Sequence, residues 1–229
     1  MKEPGSVQVD LVGHDGGNWR GEFAFSLDLT DVVTGWTEPR ALRNKARKWT
    51  LEALGDAEKH APLDLLAIGT DNDSVFFCNH LIKYCEDHNI RFTRTRPYRK
   101  NDNCFVEQKN NSVIRRYAGY LRYDTEQQLE LLREIYDNLR LFVNFFQPSM
   151  KLIKKIRKGS KVSKRYDTPQ TPYQRMMESE YVSQAVKYRL KGQFDRLNPA
   201  ELHRRIRSLQ EKLFKVSKGM AVMAKEAAG

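Results

Sequence analysis

Phe23-Ala24-Phe25-Ser26-Leu27-Asp28-Leu29-Thr30 places Phe23, Phe25, Leu27 and Leu29 on one side of the chain and Ala24, Ser26, Asp28 and Thr30 on the other. A period of two is the repeat of a pleated strand. Upstream, Val7, Val9 and Leu11 alternate with Gln8 and Asp10 in the same way. Downstream, Asp31 to Gly35 leads into Trp36-Thr37-Glu38, which suggests a hairpin to a third strand. From Ala46 the spacing turns helical, with Ala46, Trp49, Ala53, Leu54 and Ala57 on one face before Pro62. Leu63 to Gly69 is a short, nearly continuous apolar run, typical of a strand buried on both faces, and it ends at Thr70-Asp71-Asn72. A second helix carries Phe77, Leu81, Tyr84, Cys85 and His88, and a short strand follows at Ile90-Arg91-Phe92-Thr93. A polar loop from Arg94 to Asn101 leads to a third helix with Val106, Val113, Ile114, Tyr117 and Leu121. A fourth, from about Thr125, carries Leu129, Leu132, Tyr136, Leu139, Val143 and Phe146, and Pro148 stops it. The order β-β-β-α-β-α-β-α predicts an α/β fold, a mixed sheet flanked by helices.

The chain of 229 residues suits one large domain, or one domain with an appendage, and 40% hydrophobic residues are enough for a core. The charge is uneven. Residues 1–150 hold 20 Lys and Arg against 22 Asp and Glu, a net of −2; residues 151–229 hold 20 against 7, a net of +13. The second part has the charge of something that meets a polyanion. No stretch approaches the roughly 18 consecutive apolar residues of a membrane span, so no membrane partner is expected. The start, Met1-Lys2-Glu3-Pro4-Gly5, lacks the features of a secretory signal, and three cysteines without Cys-x-x-Cys spacing point to a reducing cytosol. Cys78 and Cys85, seven apart on one helix, suit a shared buried face, and the five histidines form no zinc pattern with them.

These shifts divide the chain into a core, residues 1–147, and an extension, residues 148–229, which is basic and mostly helical. Lys151 to Tyr166 holds eight basic residues and no acidic ones, and is expected to be an arm or linker. A closing helix starts with Asn198 as cap and Pro199 in its first turn. Its stripe of Leu202, Ile206, Leu209, Leu213, Val216 and Met220 has heptad spacing and suits packing on the protein's own body ahead of an intermolecular coiled coil.

Three acids occupy positions with chemical meaning. Asp10 lies inside the first strand, where a carboxylate is costly to desolvate. Asp71 ends the buried strand, where α/β folds place their sites. Glu107 follows after 35 intervening residues, on the third helix. Converging carboxylates repel and need cations, and Mg²⁺ takes oxygen ligands while keeping positions open for water and phosphate. Taken singly, each acid also reads as solvated surface.

Together with their surroundings, these residues resemble a known family. Val9-Asp10-Leu11, Thr70-Asp71-Asn72-Asp73-Ser74-Val75-Phe76 and the run from Arg96-Pro97-Tyr98 through Val106-Glu107-Gln108-Lys109 are similar to the DDE transposases and retroviral-type integrases, most closely the integrase-like transposases of bacterial insertion sequences. The likeness extends through Asn144-Phe145-Phe146-Gln147-Pro148 and Tyr166-Asp167-Thr168-Pro169-Gln170-Thr171-Pro172-Tyr173. It implies a ribonuclease H-like fold with a five-stranded mixed sheet whose first and fourth strands are neighbours. It also implies Asp10, Asp71 and Glu107 as catalytic residues and ligands of two Mg²⁺ or Mn²⁺ ions. The implied activity is 3′-end cleavage and strand transfer in DNA integration, with element ends and target DNA as partners, a homo-oligomer as the acting species, no small-molecule cofactor, and a cytoplasmic or nucleoid-associated location. Asp73 and Val75 depart from many relatives, which have Gly and an acid there, and Asp10 comes early for a chain with an N-terminal DNA-recognition region. An alternative expectation is therefore a catalytically impaired, truncated transposase that binds DNA or regulates; another is a nuclease that cuts without joining.

Cations gather around these acids. Arg94, Arg96, Arg99 and Lys100 precede the Glu107 helix, Lys109, Arg115 and Arg116 lie on it, and Asn103 could contact bases or sugars. Lys154, Lys155, Lys158, Lys161, Lys164 and Arg165 in the basic arm suit a phosphate backbone.

Overall fold

The computed structural model of the protein describes residues 3–71, 79–94 and 104–226, apart from the side chains of Asn79, Cys104, Lys158 and residues 218–226. Strands β1 (Ser6–Gly13), β2 (Phe25–Asp31), β3 (Thr37–Leu42), β4 (Ala67–Thr70) and β5 (Arg91–Arg94) form one sheet in the order β3-β2-β1-β4-β5. β1 runs antiparallel to β2 and parallel to β4, and β4 runs parallel to β5. β1 is therefore the central strand of a mixed sheet.

The β2–β3 turn is built by Asp31. Its carboxylate accepts from Thr34 N at 2.6 Å, Thr34 Oγ1 at 2.7 Å and Gly5 N at 2.8 Å, and Gly35 takes the positive φ of 77° that closes the turn. Asp31 thus ties the turn to the entry of β1. The apolar run before Asp71 yields a shorter strand than its composition suggests: only Ala67–Thr70 pair, and Leu66 is exposed. Leu66 N instead donates to Gly5 O at 2.8 Å, so the chain enters the sheet along the β1 entry.

Helices cover both faces. Val7, Val9, Leu27, Leu29 and Ile68 pack against helix α1 (Arg47–His60) and helix α2 (Asn79–Asp87), with Leu54, Ala57, Leu81 and buried Cys85 on the helix side. Cys78 lies outside the described residues. The opposite face meets helix α3 (Cys104–Lys109), which runs through a π-helical segment (Asn110–Arg115) into α4 (Arg116–Ala118), and the long helix α5 (Glu126–Phe146). Val12, Ile114, Tyr117, Leu132, Ile135, Tyr136 and Leu139 form that core. The alternation in β1 and β2 is borne out, but the polar set does not face water. Ser26, Asp28 and Thr30 are fully buried and Gln8 nearly so, because α3 and α5 lie over them.

Residues 148–229 carry more structure than the composition implies. The expected arm is a two-stranded sheet, β6 (Leu152–Lys158) and β7 (Lys161–Tyr166), followed by α6 (Pro172–Glu178), α7 (Gln184–Phe194) and α8 (Pro199–Glu226). Every described side chain of the two strands is exposed, so no apolar face marked them as strands. α8 is capped as expected, with Asn198 Oδ1 accepting from Ala200 N at 3.0 Å. Leu202, Ile206, Leu209 and Leu213 are buried against α5, and Gln128 Nε2 donates to Ser217 Oγ at 3.1 Å across the same seam. The stripe packs on the protein's own body over its described part.

β3 is an edge strand, and α5 closes its open side with a side chain. Buried Asn144 accepts from Thr37 N at 2.9 Å and donates to Thr37 O at 2.8 Å, imitating a neighbouring strand. Asn144→Leu would leave both backbone groups buried and unpaired, at about 1–3 kcal/mol each. Urea denaturation should show a loss of several kcal/mol with an unchanged slope; a loss below about 1 kcal/mol would mean that the amide is not a closure of the sheet.

Candidate metal centre

The parallel register of β1 and β4 pairs Val9 with Thr70, so Asp10 and Asp71 are the next residues along two adjacent strands. Helix α3 is fixed to the same strand from above. Gln8 Oε1 accepts from Phe105 N at 3.0 Å and Val106 N at 3.1 Å, holding the start of the helix that carries Glu107. One turn later Asn110 Nδ2 donates to Asp10 Oδ2 at 2.6 Å. Asn110 opens the π-helical segment, an interruption often found at functional sites. Two polar side chains of one face of β1 thus dock both ends of the Glu107 turn.

Burial pushes the Asp10 carboxyl up to about 6; the charges of Asp71 and Glu107 push the same way, against hydrogen bonds from Leu11 N at 2.8 Å and from Asn110. Asp10 therefore lies within electrostatic reach of both Asp71 and Glu107. Asp71 is half-buried and Glu107 exposed, leaving the cluster open to solvent on the helix side. Among the described residues, no three His, Cys, Asp or Glu side chains stand close enough to hold one ion as they are. The donor set still suits Mg²⁺ or Mn²⁺: all donors are oxygens, and a cation would offset the desolvation and the repulsion that raise Asp10.

A fourth carboxylate belongs to this neighbourhood. Asp28 is the cross-strand partner of Asp10 and is wholly buried. Thr30 Oγ1 donates to its Oδ1 at 3.3 Å, whereas Oδ2 has no hydrogen-bond partner. Burial pushes Asp28 up to about 7, with Lys109 pulling the other way. Lys109 is half-buried, and burial lowers its ammonium against the opposing pull of Asp28. Lys109, expected from the sequence to contact DNA, instead has Asp28 as its opposite-charge neighbour in the structure. Asp28 sits in the polar set of β2 as Asp10 does in β1, and that parity was the available signal.

The remaining cations divide. Arg115 is engaged by the protein: it donates to Gly13 O at 2.9 Å and Gly119 O at 3.4 Å, with its guanidinium 4.9 Å from the Tyr120 ring centroid. Arg116 is exposed on α4. Lys154, Lys155, Lys161, Lys164 and Arg165 are exposed on β6 and β7. Lys158 pairs with Lys161 in the backbone register, and its side chain is outside the described set. Arg96, Arg99, Lys100 and Asn103, like Asp73 and Val75, lie outside the described residues.

With this geometry in hand, comparison with known proteins is informative. The catalytic core domain of BIV integrase superimposes with a TM-score of 0.50 at 16% identity, covering 77% of this chain and 96% of that domain. The chain has the fold of a retroviral integrase catalytic core. That is the ribonuclease H-like arrangement, a five-stranded mixed sheet flanked by helices. The HTLV-2 integrase catalytic core domain, solved in complex with magnesium, matches at 15% identity and a TM-score of 0.48 over 64% of this chain and 91% of that one. In sequence, the chain is 41% identical over 172 residues to the uncharacterized protein y4rM of Sinorhizobium fredii. That alignment takes in 75% of this chain and 49% of the relative, so the chain spans about half its length. No protein-family model matches the chain. Among the described residues, no helix is long and apolar enough to cross a membrane.

The raised Asp10 carboxyl has a consequence for stability. A group whose folded value lies above its unfolded 3.8 costs stability as pH rises from that value through about 6. In metal-free buffer at pH 8, Asp10→Asn should therefore melt above the wild type, the gap narrowing below about 6 and closing below the ordinary 3.8. Added Mn²⁺ should raise the wild-type Tm and leave the variant unmoved. A pH-independent gap, or equal stabilisation of both proteins by Mn²⁺, would count against Asp10 as a metal ligand.

Proposed function

We propose that this chain is the catalytic domain of a DNA transposase of the integrase type, of the kind found in bacterial insertion sequences, which cleaves 3′ ends of an element and joins them to target DNA. One observation carries the reading: Asp10 in the central strand has Asp71 beside it and the Glu107 helix docked onto it through Gln8 and Asn110.

In this reading Asp10, Asp71 and Glu107 would hold two divalent cations. Bound there, such cations would supply Lewis-acid activation of the attacking oxygen and stabilise the leaving oxygen of an in-line phosphoryl displacement. The protein's own task is positioning. Asn110 holds one Asp10 oxygen and Leu11 N the other, which fixes the plane of the carboxylate. No protein nucleophile is needed. Water attacks the phosphodiester at the element end, the bond to the neighbouring nucleotide breaks, and a 3′-hydroxyl is released; that hydroxyl then attacks a target phosphodiester, forming one P–O bond as another breaks. Exposed cations beside the site, Arg94 and Arg116 among the described residues, would position phosphates. A homo-oligomer acting on DNA in the cytoplasm or nucleoid belongs to the same reading.

The test uses pre-cleaved element ends, plasmid target and Mg²⁺ or Mn²⁺. The wild type should yield joined products, and Asp71→Asn and Glu107→Gln should each lose about a hundredfold or more while binding DNA as before. Nicking without joining would make the chain a nuclease, and wild-type DNA binding with neither reaction would overturn the catalytic assignment.

A further inference from the structure

The hairpin of β6 and β7 is built at a cost. Its register sets Lys154 opposite Arg165, Lys155 opposite Lys164 and Lys158 opposite Lys161, three like-charge pairs directly across an antiparallel ladder. Such pairs destabilise a sheet. No acid lies between residues 152 and 166 to offset them, and no described side chain of the hairpin is packed under another element. Alternation puts Lys154, Lys161 and Arg165 on one face and Lys155, Arg157 and Lys164 on the other, so both faces are cationic and both are open. Gly159 at the tip has a φ of 60° and nothing within 4 Å of where a side chain would begin.

The root, by contrast, is fixed. Lys151 N donates to Asp167 Oδ1 at 2.5 Å and Asp167 N returns a bond to Lys151 O at 2.9 Å. Arg175 on α6 locks the pair, donating to Asp167 Oδ2 at 2.6 Å and Ser149 O at 2.8 Å. Lys151 Nζ donates to Val32 O at 2.6 Å and to Val33 O, in the β2–β3 turn, and lies 5.7 Å from the ring centroid of Phe105, two residues before Glu107. The hairpin is therefore mounted on the body beside the helix that carries Glu107.

We propose that this hairpin enters the major groove of duplex DNA, one cationic face toward each flanking phosphate backbone, and so sets the position of the duplex relative to the metal centre. A cationic rail lying along one backbone needs a single charged face; two charged faces with neither covered suit a groove with phosphates on both sides. Two strands about 4.8 Å apart with their side chains fit the roughly 12 Å major groove and not the roughly 6 Å minor groove. Exposed Ile156 and Val162 supply apolar contact on opposite faces. A-form RNA, whose major groove is deep and narrow, does not admit it. The inference rests on the DNA-binding part of the proposed function and not on its catalytic part.

The experiment measures binding of the full chain to a 30-bp duplex in EDTA, where no metal-dependent reaction runs. Two variants each neutralise one face: Lys154→Gln with Lys161→Gln and Arg165→Gln, and Lys155→Gln with Arg157→Gln and Lys164→Gln. Each should weaken binding about tenfold or more at physiological salt and reduce the slope of log K against log salt by about 3. Tm should be equal to or above that of the wild type, since each variant removes like-charge pairs. Duplex carrying glucosylated 5-hydroxymethylcytosine, which fills the major groove, should bind at least about tenfold worse, whereas netropsin in the minor groove of an A·T-rich duplex should not compete, and double-stranded RNA of the same sequence should bind poorly. Loss from only one face, competition by netropsin, or equal binding to glucosylated DNA or to RNA would overturn groove entry. A chain that passes these tests yet joins no DNA in Mg²⁺ would leave the hairpin assignment standing and remove the catalytic one.

Discussion

A carboxylate in the central strand of a five-stranded sheet is the constraint around which this protein is arranged. Asp10 is desolvated by the layers above and beside it, and it is raised further by two more acids. Its neighbours are the ones such a group requires. A parallel partner on one side brings the end of β4, with Asp71, to the same edge. An antiparallel partner on the other brings Asp28 directly opposite. The helix above is held by Gln8 and Asn110, so Glu107 has little freedom to move along β1. These contacts relieve the charge only in part. Two hydrogen bonds lower the Asp10 value and do not cancel the burial, so the carboxylate costs the fold stability where it stands.

Buried polar groups recur along that face of the sheet. Below α3 and α5 a polar seam runs beside the apolar core of Val12, Ile114, Leu132 and Leu139. Ser26 Oγ bridges His14 Nε2 at 2.7 Å and Tyr136 Oη at 2.5 Å, and burial drives His14 down to about 3, so the ring is neutral. Further along, Asp28 keeps one oxygen without a partner. Buried polar groups of this kind fix relative positions more firmly than apolar contacts, because misplacing one leaves a donor or acceptor unpaired. The seam therefore sets where α3 and α5 sit over β1 and β2, while apolar layers on both faces of the sheet supply the hydrophobic burial.

How much of this is legible in the sequence follows from which signals depend on local pattern. The strands of the core are legible because Val7, Val9, Leu27 and Leu29 keep a period of two, and α5 because its apolar stripe runs unbroken to Phe146. The burial of the opposite set is not, since alternation shows two faces and does not say whether the polar one meets water or a helix. Asp28 was passed over for that reason. Asp10 and Asp71 stand out by strand position, whereas Glu107 needed the spacing and the resemblance, because an exposed acid on a helix looks like solvated surface. The hairpin escapes pattern reading altogether. Residues 152–166 have cations on both faces, so periodicity has nothing to register, and strand pairing is visible only once Lys151, Asp167 and Arg175 close the root.

The division of charge along the chain also takes on structural meaning. The net −2 of residues 1–150 averages the acids around Asp10 with cations that the body itself uses, such as Arg115 on the Gly13 carbonyl and Lys109 beside Asp28. The +13 of the remainder is densest on the exposed hairpin, where ammonium groups keep their water and cost little until they meet one another. The two regions join at Lys151, whose ammonium burial pushes down to about 8, with Arg175 and Lys109 lowering it further and Asp31 and Asp167 opposing them. A half-buried cation held by backbone carbonyls of the β2–β3 turn is a rigid joint, because moving it would strand both the charge and the carbonyls. Through Lys151 the root of the hairpin is thus tied to the turn that leads out of the Asp28 strand and lies close to the ring of Phe105, two residues before Glu107.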